Sequence, residues 1–153
     1  MIGRPVSSEK ILAGGLYSGA ASSKMSRPVS DLNTLLSTLA LDLRPGVWAF
    51  ETTPEPVLLN GAIMLFAERE GWTQIRPATP GDLANNRWCW IELAVYSDLH
   101  AVGFIAEISR ILAQNALPCN VVAGFNHDHL FIPEDQCARA VEVLQAINGG
   151  DCP

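Results

Sequence analysis

The tripeptide His127-Asp128-His129 places three side chains that can bind a metal ion or a proton next to each other. On a β-strand, side chains two residues apart point to the same face with a backbone spacing of about 7 Å, so both histidines could bind one metal ion. A third ligand would have to come from another element. The candidates are Glu92, Asp98 and His100. No H-E-x-x-H, second H-x-H or paired cysteine motif supplies one.

The tripeptide also has an interpretation without a metal. Asp128 and one histidine could stabilise the preceding turn by hydrogen bonds, while the other histidine lies on a half-exposed sheet face or at an interface. Because a third ligand is not evident, we expect this structural role and no bound metal or other cofactor. A metal-dependent enzyme that uses His127 and His129 is the less favoured alternative.

Residues 97–103 join a predicted strand to a predicted helix and could bind an anion. The first turn of a helix presents unpaired N–H groups and the positive end of the helix dipole, which suit a carboxylate. Gly103 has no Cβ and therefore allows a ligand to approach the backbone closely. Residues 120–122 should run beside this loop. The predicted ligand-binding residues are Asp98, Leu99, His100, Ala101, Val102, Gly103, Asn120, Val121 and Val122.

The same loop has a purely structural interpretation. Ser97 or Asp98 could cap the helix, and Gly103 could relieve packing between the helix and a strand. Asp98 would also repel a ligand carboxylate, which His100 could offset by donating a hydrogen bond. The residues alone leave both interpretations open.

Residues 88–148 predict the order strand, helix, strand, strand, helix. In WCWIELAVY the apolar residues alternate, which is typical of a half-buried strand. One face carries Cys89, Ile91, Leu93 and Val95. The next segment predicts an amphipathic helix that ends at Asn115. Its apolar stripe is Phe104, Ile105, Ile108, Ile111 and Leu112. Residues 119–123 and 127–132 predict two strands, and a helix starting at Pro133 follows. Its stripe is Cys137, Ala140, Val141, Leu144 and Ile147.

The run DLHAVGFIAEISRILAQNALPCNVVAGFNHDHLFIP resembles the second half of a bacterial family of uncharacterised tandem ACT-domain proteins. The resemblance covers roughly residues 30–147 and rests on the AVG helix start, the CNVVAG strand and the HDHLF strand. It implies small βαββαβ modules that bind amino acids at the strand–helix loop, where that loop faces a second unit. It also implies a regulatory role toward an enzyme, without a metal at this position.

The first half predicts a diverged partner unit. Ser30 could cap a helix with leucines at 32, 35, 36 and 39, which Arg44-Pro45-Gly46 would close. Residues 47–52 predict a strand, residues 62–69 and 72–76 a hairpin, and residues 80–85 one helical turn. Pro54 and Pro56 require a loop between the first strand and the hairpin, in place of a long helix.

The predicted fold is therefore α+β. Two ACT-like (ferredoxin-like βαββαβ) units lie side by side, with an antiparallel-rich sheet and helices on one face. The predicted organisation is a flexible leader or non-native extension at 1–29, units at 30–86 and 87–148, and a tail at 149–153. Within the leader, residues 1–24 lack the apolar region of a secretory signal.

Composition excludes several classes of function. The chain has 16 acidic and 10 basic residues, a net charge of −6, and no cluster of Lys or Arg, so nucleic acid and anionic membranes are not expected partners. No apolar run approaches the roughly 20 residues that cross a bilayer, and a cytoplasmic location is expected. The four cysteines form no C-x-x-C pair, and we expect reduced thiols.

The sequence thus predicts a non-catalytic sensing module. No G-x-S-x-G or phosphate-binding loop occurs, and the ligand would be an amino acid or a similar small metabolite. A homodimer is expected, since Trp88 and Trp90 lie opposite the aliphatic face and another protomer could cover them. Any regulated enzyme would be a separate chain. The alternative is a dimerisation module that binds no ligand.

Overall fold

The computed structural model describes residues 27–149 of the chain, with three α-helices, six β-strands and three short 3₁₀ turns in that range. The helices are α1 (Leu32–Ser37), α2 (Phe104–Gln114) and α3 (Cys137–Gln145). The strands are β1 (Leu41–Thr53), β2 (Met64–Ala67), β3 (Trp72–Pro77), β4 (Trp88–Leu93), β5 (Asn120–Ala123) and β6 (Asp128–Pro133). The 3₁₀ turns are Ala84–Asn86, Glu134–Gln136 and Ala146–Gly149.

The six strands form one antiparallel sheet in the order β2-β3-β1-β4-β6-β5. The long strand β1 joins the two halves, because its first part pairs with β4 and its second part with β3. The register on β4 shifts between Arg44 and Trp48, which marks a bulge. The predicted α+β class is confirmed, with the two units sharing a continuous sheet.

The prediction that Arg44-Pro45-Gly46 closes the first helix is wrong, because these residues lie at the bulge in β1. Helix α1 ends at Ser37, and the Pro-Gly pair lies within β1. Proline has no N–H to donate, so a position where regular pairing is interrupted tolerates it. The residue that caps α1 is Asp31, not Ser30, and its Oδ1 accepts the Thr34 N–H at 2.8 Å.

The main hydrophobic core lies between the sheet and the three helices. Strand β4 points Cys89, Ile91 and Leu93 into this core, as its alternating sequence predicts. Leu130 and Ile132 of β6 lie beside them and are fully buried. The helices contribute Leu35 from α1, Phe104, Ile108 and Leu112 from α2, and Ala140 and Leu144 from α3. This core therefore holds the helices on one face of the sheet.

Aromatic side chains cover part of the opposite face of the sheet. Trp48 meets Trp90 edge to face with ring centroids 5.1 Å apart, and Phe50 meets both Trp88 at 5.7 Å and Phe131 at 5.5 Å in the same manner. These residues come from three neighbouring strands. Trp88 and Trp90 thus pack against aromatic residues of their own chain.

The predicted helix starting at Pro133 begins four residues later than expected. Pro133 ends β6, the 3₁₀ turn Glu134–Gln136 follows, and α3 starts at Cys137. The predicted hairpin is confirmed as β2 and β3, and the other strands and α2 of the second half lie within a few residues of their predicted bounds.

Cys89 and Cys137 form a disulfide that joins β4 to α3, with their Cα atoms 6.1 Å apart. The prediction of reduced thiols is wrong for this pair. Both cysteines face the core, one from a strand and one from a helix, and they are 48 positions apart in sequence. Motifs of closely spaced cysteines therefore could not indicate this pair. Cys119 is free, and burial raises the pKa of its thiol to about 11.

The chain termini mostly lie outside the described residues, which include only 27–29 of the predicted leader and residue 149 of the predicted tail. Val29 already belongs to the folded structure. Its N–H donates to the Tyr96 carbonyl oxygen at 2.9 Å, and its own carbonyl oxygen accepts the Asp98 N–H at 2.9 Å. Within residues 27–149, no helix has both the length and the apolar character needed to cross a membrane.

In the first half, a loop takes the place of a covering helix, as predicted from Pro54 and Pro56. Gln74 of β3 is fully buried and holds this loop. Its Oε1 accepts the Leu59 N–H at 2.9 Å, and its Nε2 donates to the Val57 carbonyl oxygen at 3.0 Å and to Thr53 Oγ1 at 2.9 Å. The amide of this fully buried side chain therefore has partners at both its donor and its acceptor, and it ties the loop to the sheet.

We predict that Gln74→Leu lowers the free energy of unfolding by about 2–4 kcal/mol, because the Leu59 N–H and the Val57 carbonyl oxygen each lose a partner at a part-buried position, and a polar group left unpaired costs about 1–3 kcal/mol. Urea denaturation measures the change. Gln114→Leu is the matched control, since Gln114 is exposed on α2. Equal stability of the two variants would contradict the role given to Gln74.

Candidate functional site

A recess of about 240 Å³ lies at the start of α2. We call it the helix recess. Its walls are parts of the loop 97–103, the first turn of α2 at 104–106, and the end of the β5–β6 hairpin, which contributes Ala123, Gly124 and Asp128. The strand–helix loop singled out in the sequence therefore borders a concave surface.

The nine predicted ligand-binding residues divide into three groups. Asp98, Leu99, Ala101 and Gly103 line the helix recess, whereas His100 and Val102 do not. His100 and Val102 are exposed instead, with a side-chain exposure of 95% for His100 and a residue exposure of 84% for Val102. Asn120 and Val121 lie elsewhere on β5, and Val122 lines a different recess.

Sheet register explains why Asn120 and Val121 lie away from the helix recess. Leu93 at the end of β4 pairs with Asp128, which in turn pairs with Ala123, so these two residues lie level with the loop. Asn120 pairs with Phe131, three residues further along the strands, or about 10 Å away. The sequence analysis placed residues 120–122 beside the loop. In the structure, β6 lies between β4 and β5, and the other end of β5, at Ala123, is level with the loop.

No side chain caps the start of α2. Gly103 is the N-cap residue, with φ of 92°, a left-handed conformation that favours glycine. Ser97 and Asp98, the predicted capping residues, have other partners. Ser97 Oγ donates to Asp128 Oδ2 at 3.3 Å, and Asp98 Oδ1 accepts the His100 N–H at 2.8 Å. The N–H groups of residues 104–106 therefore have no side-chain acceptor at the edge of the recess.

Two carboxylate residues, Asp98 and Asp128, also line the helix recess. Asp128 is 7% exposed, and burial raises the pKa of its carboxyl group. Asp98 is more exposed, and hydrogen bonds from the His100 backbone and ring hold the pKa of Asp98 below its usual value. The recess thus combines the positive end of a helix with a negative side.

A second recess, of about 260 Å³, lies on the other face of the sheet. We call it the sheet recess. It is lined by Ile63, Met64, Ile75, Trp90, Glu92, Val122, Gly124, His129 and Phe131. Met64 belongs to β2 and Val122 to β5, the two edge strands, so the sheet curls until its opposite edges border one space. The sequence did not reveal this recess, because its residues meet only through the curl.

The two histidines of His127-Asp128-His129 have different surroundings. His127 precedes β6, and its Nδ1 lies 3.0 Å from the Val95 carbonyl oxygen. His129 lies within β6, and its Nδ1 accepts the Trp90 Nε1–H at 3.1 Å. Among residues 27–149, no three His, Cys, Asp or Glu side chains are grouped so that they could hold a metal ion. Both rings contact β4 or the segment that follows it, whereas the structural interpretation placed such hydrogen bonds at the turn before β6.

His129 gives the fold a pH dependence. Burial is the main cause that lowers the pKa of its ring. Trp90 Nε1–H can only donate, so protonation of His129 Nδ1 would remove this hydrogen bond. A histidine whose pKa is lower in the folded state contributes stability above its unfolded pKa of about 6.5, and this contribution is lost as the pH falls.

We predict that, from pH 7 to pH 5, the wild type loses more unfolding free energy than His129→Gln, which has no titrating ring. Urea denaturation at several pH values measures the difference. His100→Gln is the control, because the ring of His100 is 95% exposed, and it should follow the wild type. Parallel curves for wild type and His129→Gln would contradict the prediction.

Comparison with known proteins supports the interpretation of the fold as two related units. Residues 87–146 match a family model described as ACT domain, and residues 27–84 match a second model with the same description. No curated protein sequence matches the chain significantly.

Several solved structures resemble this chain. A Vibrio cholerae protein of unknown function, described as a possible transport protein, is 30% identical with a TM-score of 0.62. That match covers 73% of this chain and 92% of the Vibrio chain. A protein from Agrobacterium tumefaciens is 15% identical with a TM-score of 0.57, over 72% of this chain and 89% of its own. With both halves matched by ACT-domain models over one continuous sheet, the chain belongs to the ACT-domain family and carries two ACT domains in tandem.

Proposed function

We propose that this protein is a non-catalytic sensing module that binds a free amino acid, or a similar small zwitterion, in the helix recess. ACT domains generally bind amino acids in regulatory roles. The observation that carries the proposal is the pairing of an uncapped helix start with a buried carboxylate across one small recess.

The start of α2 suits the α-carboxylate of an amino acid. Its 11 residues align their peptide dipoles toward the recess, which is equivalent to about half a positive charge at the N-terminus. The N–H groups of residues 104–106 lack a side-chain acceptor and could each donate to a carboxylate oxygen. Such an interaction with a helix start contributes about 0.3–1 kcal/mol at an exposed site and up to about 2 kcal/mol when partly buried.

Asp128 suits the α-ammonium group. Burial disfavours its ionised form, as its raised pKa reflects, and a cation beside it would offset the lost solvation. Ser97 Oγ, at 3.3 Å from Oδ2, helps to orient this carboxylate. Asp98 adds a second negative charge to the recess, so a ligand that binds with its ammonium group toward the two aspartates reduces the repulsion expected between Asp98 and a ligand carboxylate.

The remaining walls indicate a small ligand side chain. Leu99, Ala101, Ile105 and Ala106 line the recess, and its volume is about 240 Å³. These apolar walls favour an uncharged amino acid of small or medium size over one with a long charged side chain.

A second candidate function is dimerisation without a ligand, and exposed apolar side chains near the recess favour it. Leu99, Val102 and Phe125 are 66%, 84% and 75% exposed. Large apolar side chains grouped on a surface often mark a protein interface. A second copy placed there would also cover the recess, so a homodimer is compatible with both functions.

We predict that isothermal titration calorimetry at pH 7 will detect binding of at least one small uncharged amino acid. Ala106→Asp should weaken this binding at least tenfold, because it places a negative charge on the first turn of α2, where the ligand carboxylate would lie. An acidic residue in that turn also favours the helix, so the fold should not be weakened.

Ala113→Asp is the matched control, since Ala113 is exposed near the other end of α2, and it should bind as the wild type does. If no amino acid binds, or if Ala106→Asp binds with unchanged affinity, the proposed site is wrong. A dimer that binds no amino acid and dissociates in Phe125→Ser would support the second candidate.

A further inference from the structure

The sheet recess has polar and apolar features that the binding of an amino acid in the helix recess does not use. We propose that it is a second binding site, for a small, neutral, planar nitrogen heterocycle that offers one hydrogen-bond acceptor and one donor. The proposal does not depend on the function proposed for the helix recess.

His129 supplies a hydrogen-bond donor to the sheet recess. Its Nδ1 accepts the Trp90 Nε1–H at 3.1 Å, and because a tryptophan ring can only donate, the proton of the neutral imidazole must be on Nε2. Nε2 has no hydrogen-bond partner among residues 27–149. The N–H at Nε2 is therefore available to an acceptor on a ligand.

Gly124 keeps the space beside this donor open. A Cβ atom at position 124 would lie 3.2 Å from His129 Nε2 and 2.6 Å from the His127 carbonyl oxygen. The second distance is too short for any real contact, so only glycine fits here. The missing side chain leaves Nε2 at the edge of the recess.

Glu92 supplies an acceptor. The residue is 8% exposed, and its Oε2 binds Arg44 Nη2 at 2.6 Å. Within the described part of the chain, Oε1 has no partner. Oε1 is therefore available to an N–H group of a ligand that already accepts from His129.

The charges around the recess favour a neutral ligand. Arg44 pairs with Glu92 at 2.6 Å and with Asp42 at 3.3 Å, and its guanidinium carbon lies 5.6 Å from the centroid of the Trp90 ring. One guanidinium thus faces two carboxylates, and an anion would meet the carboxylate of Glu92. A protonated heterocycle would have no lone pair to accept the N–H of His129 Nε2. Burial lowers the pKa of His129, which keeps its ring neutral near pH 7.

The apolar lining favours a planar ring. The rings of Trp90 and Phe131 lie within 22° of parallel, with centroids 6.0 Å apart. Ile63, Met64, Ile75 and Val122 provide the other apolar walls. An apolar cavity of about 150 Å³ can hold benzene. The 260 Å³ of this recess therefore suit a fused two-ring molecule.

Benzimidazole is the probe, because it is a flat two-ring molecule with one acceptor nitrogen and one N–H donor. We expect it to bind the full chain at pH 7.5 in calorimetry and to shift the NMR resonance of the Trp90 indole N–H. Indole has the same size and donor but no ring acceptor for His129. It should bind at least tenfold more weakly, because the buried donor is left without a partner.

Substitutions of residues that line the sheet recess test whether the probe binds there. Val122→Trp would fill the recess and should abolish benzimidazole binding. Val121→Trp is the matched control, because residue 121 lies on the opposite face of β5, and it should leave binding unchanged. Ile63→Trp fills the recess from the loop before β2 and serves as a second blocking variant if Val122→Trp is poorly folded.

The proposal is overturned if benzimidazole does not bind the wild type, if indole binds equally well, or if the folded blocking variants still bind the probe. Binding of the probe that both blocking variants abolish and Val121→Trp retains would support it. Amino-acid binding in the helix recess should survive Val122→Trp, so failure of one site can be distinguished from failure of the other.

Discussion

The alternation of apolar and polar residues in strand β4 decides which side chains face the helices and which face the sheet recess. Its odd-numbered residues Cys89, Ile91 and Leu93 are buried against the helices, and Trp90 and Glu92 point to the other face. Complete burial of a large aliphatic side chain contributes about 1.5–3 kcal/mol. A slip of one residue would exchange the faces and place Glu92 and Trp90 in the apolar core, so this register is strongly specified.

Because β6 pairs with β4, its residues also alternate between the two faces of the sheet, and successive residues border different recesses. Asp128 pairs with Leu93 and borders the helix recess, whereas His129 pairs with Glu92 and borders the sheet recess. Gly124 borders both. Two neighbouring residues on one strand thus face two different cavities, and a movement of the hairpin would change the shape of both. The hydrogen bonds of Ser97 to Asp128 and of Trp90 to His129 hold the hairpin on its two sides.

The spacing of apolar residues predicted the elements of the second half well, because β4 and α2 each bury one face and the apolar residues recur on that face. It failed at Arg44-Pro45-Gly46, where a breaker of helices lies within the long strand β1. Pairing with β3 and β4 overrides local preference there. The loop predicted to bind a ligand borders a recess, but the sequence could not show that Asn120 and Val121 lie away from it, because sheet order decides which strand end lies beside the loop. The disulfide and the sheet recess depend on distant residues and could not be derived from spacing.

In the proposed function, an uncapped helix start and a buried aspartate bind the two ends of one zwitterion. The most direct test is a crystal structure of the full chain with the amino acid that binds most tightly. We expect the ligand carboxylate within hydrogen-bond distance of the N–H groups of residues 104–106 and its ammonium group beside Asp128. A ligand bound in the sheet recess, or bound with its carboxylate away from the start of α2, would contradict it.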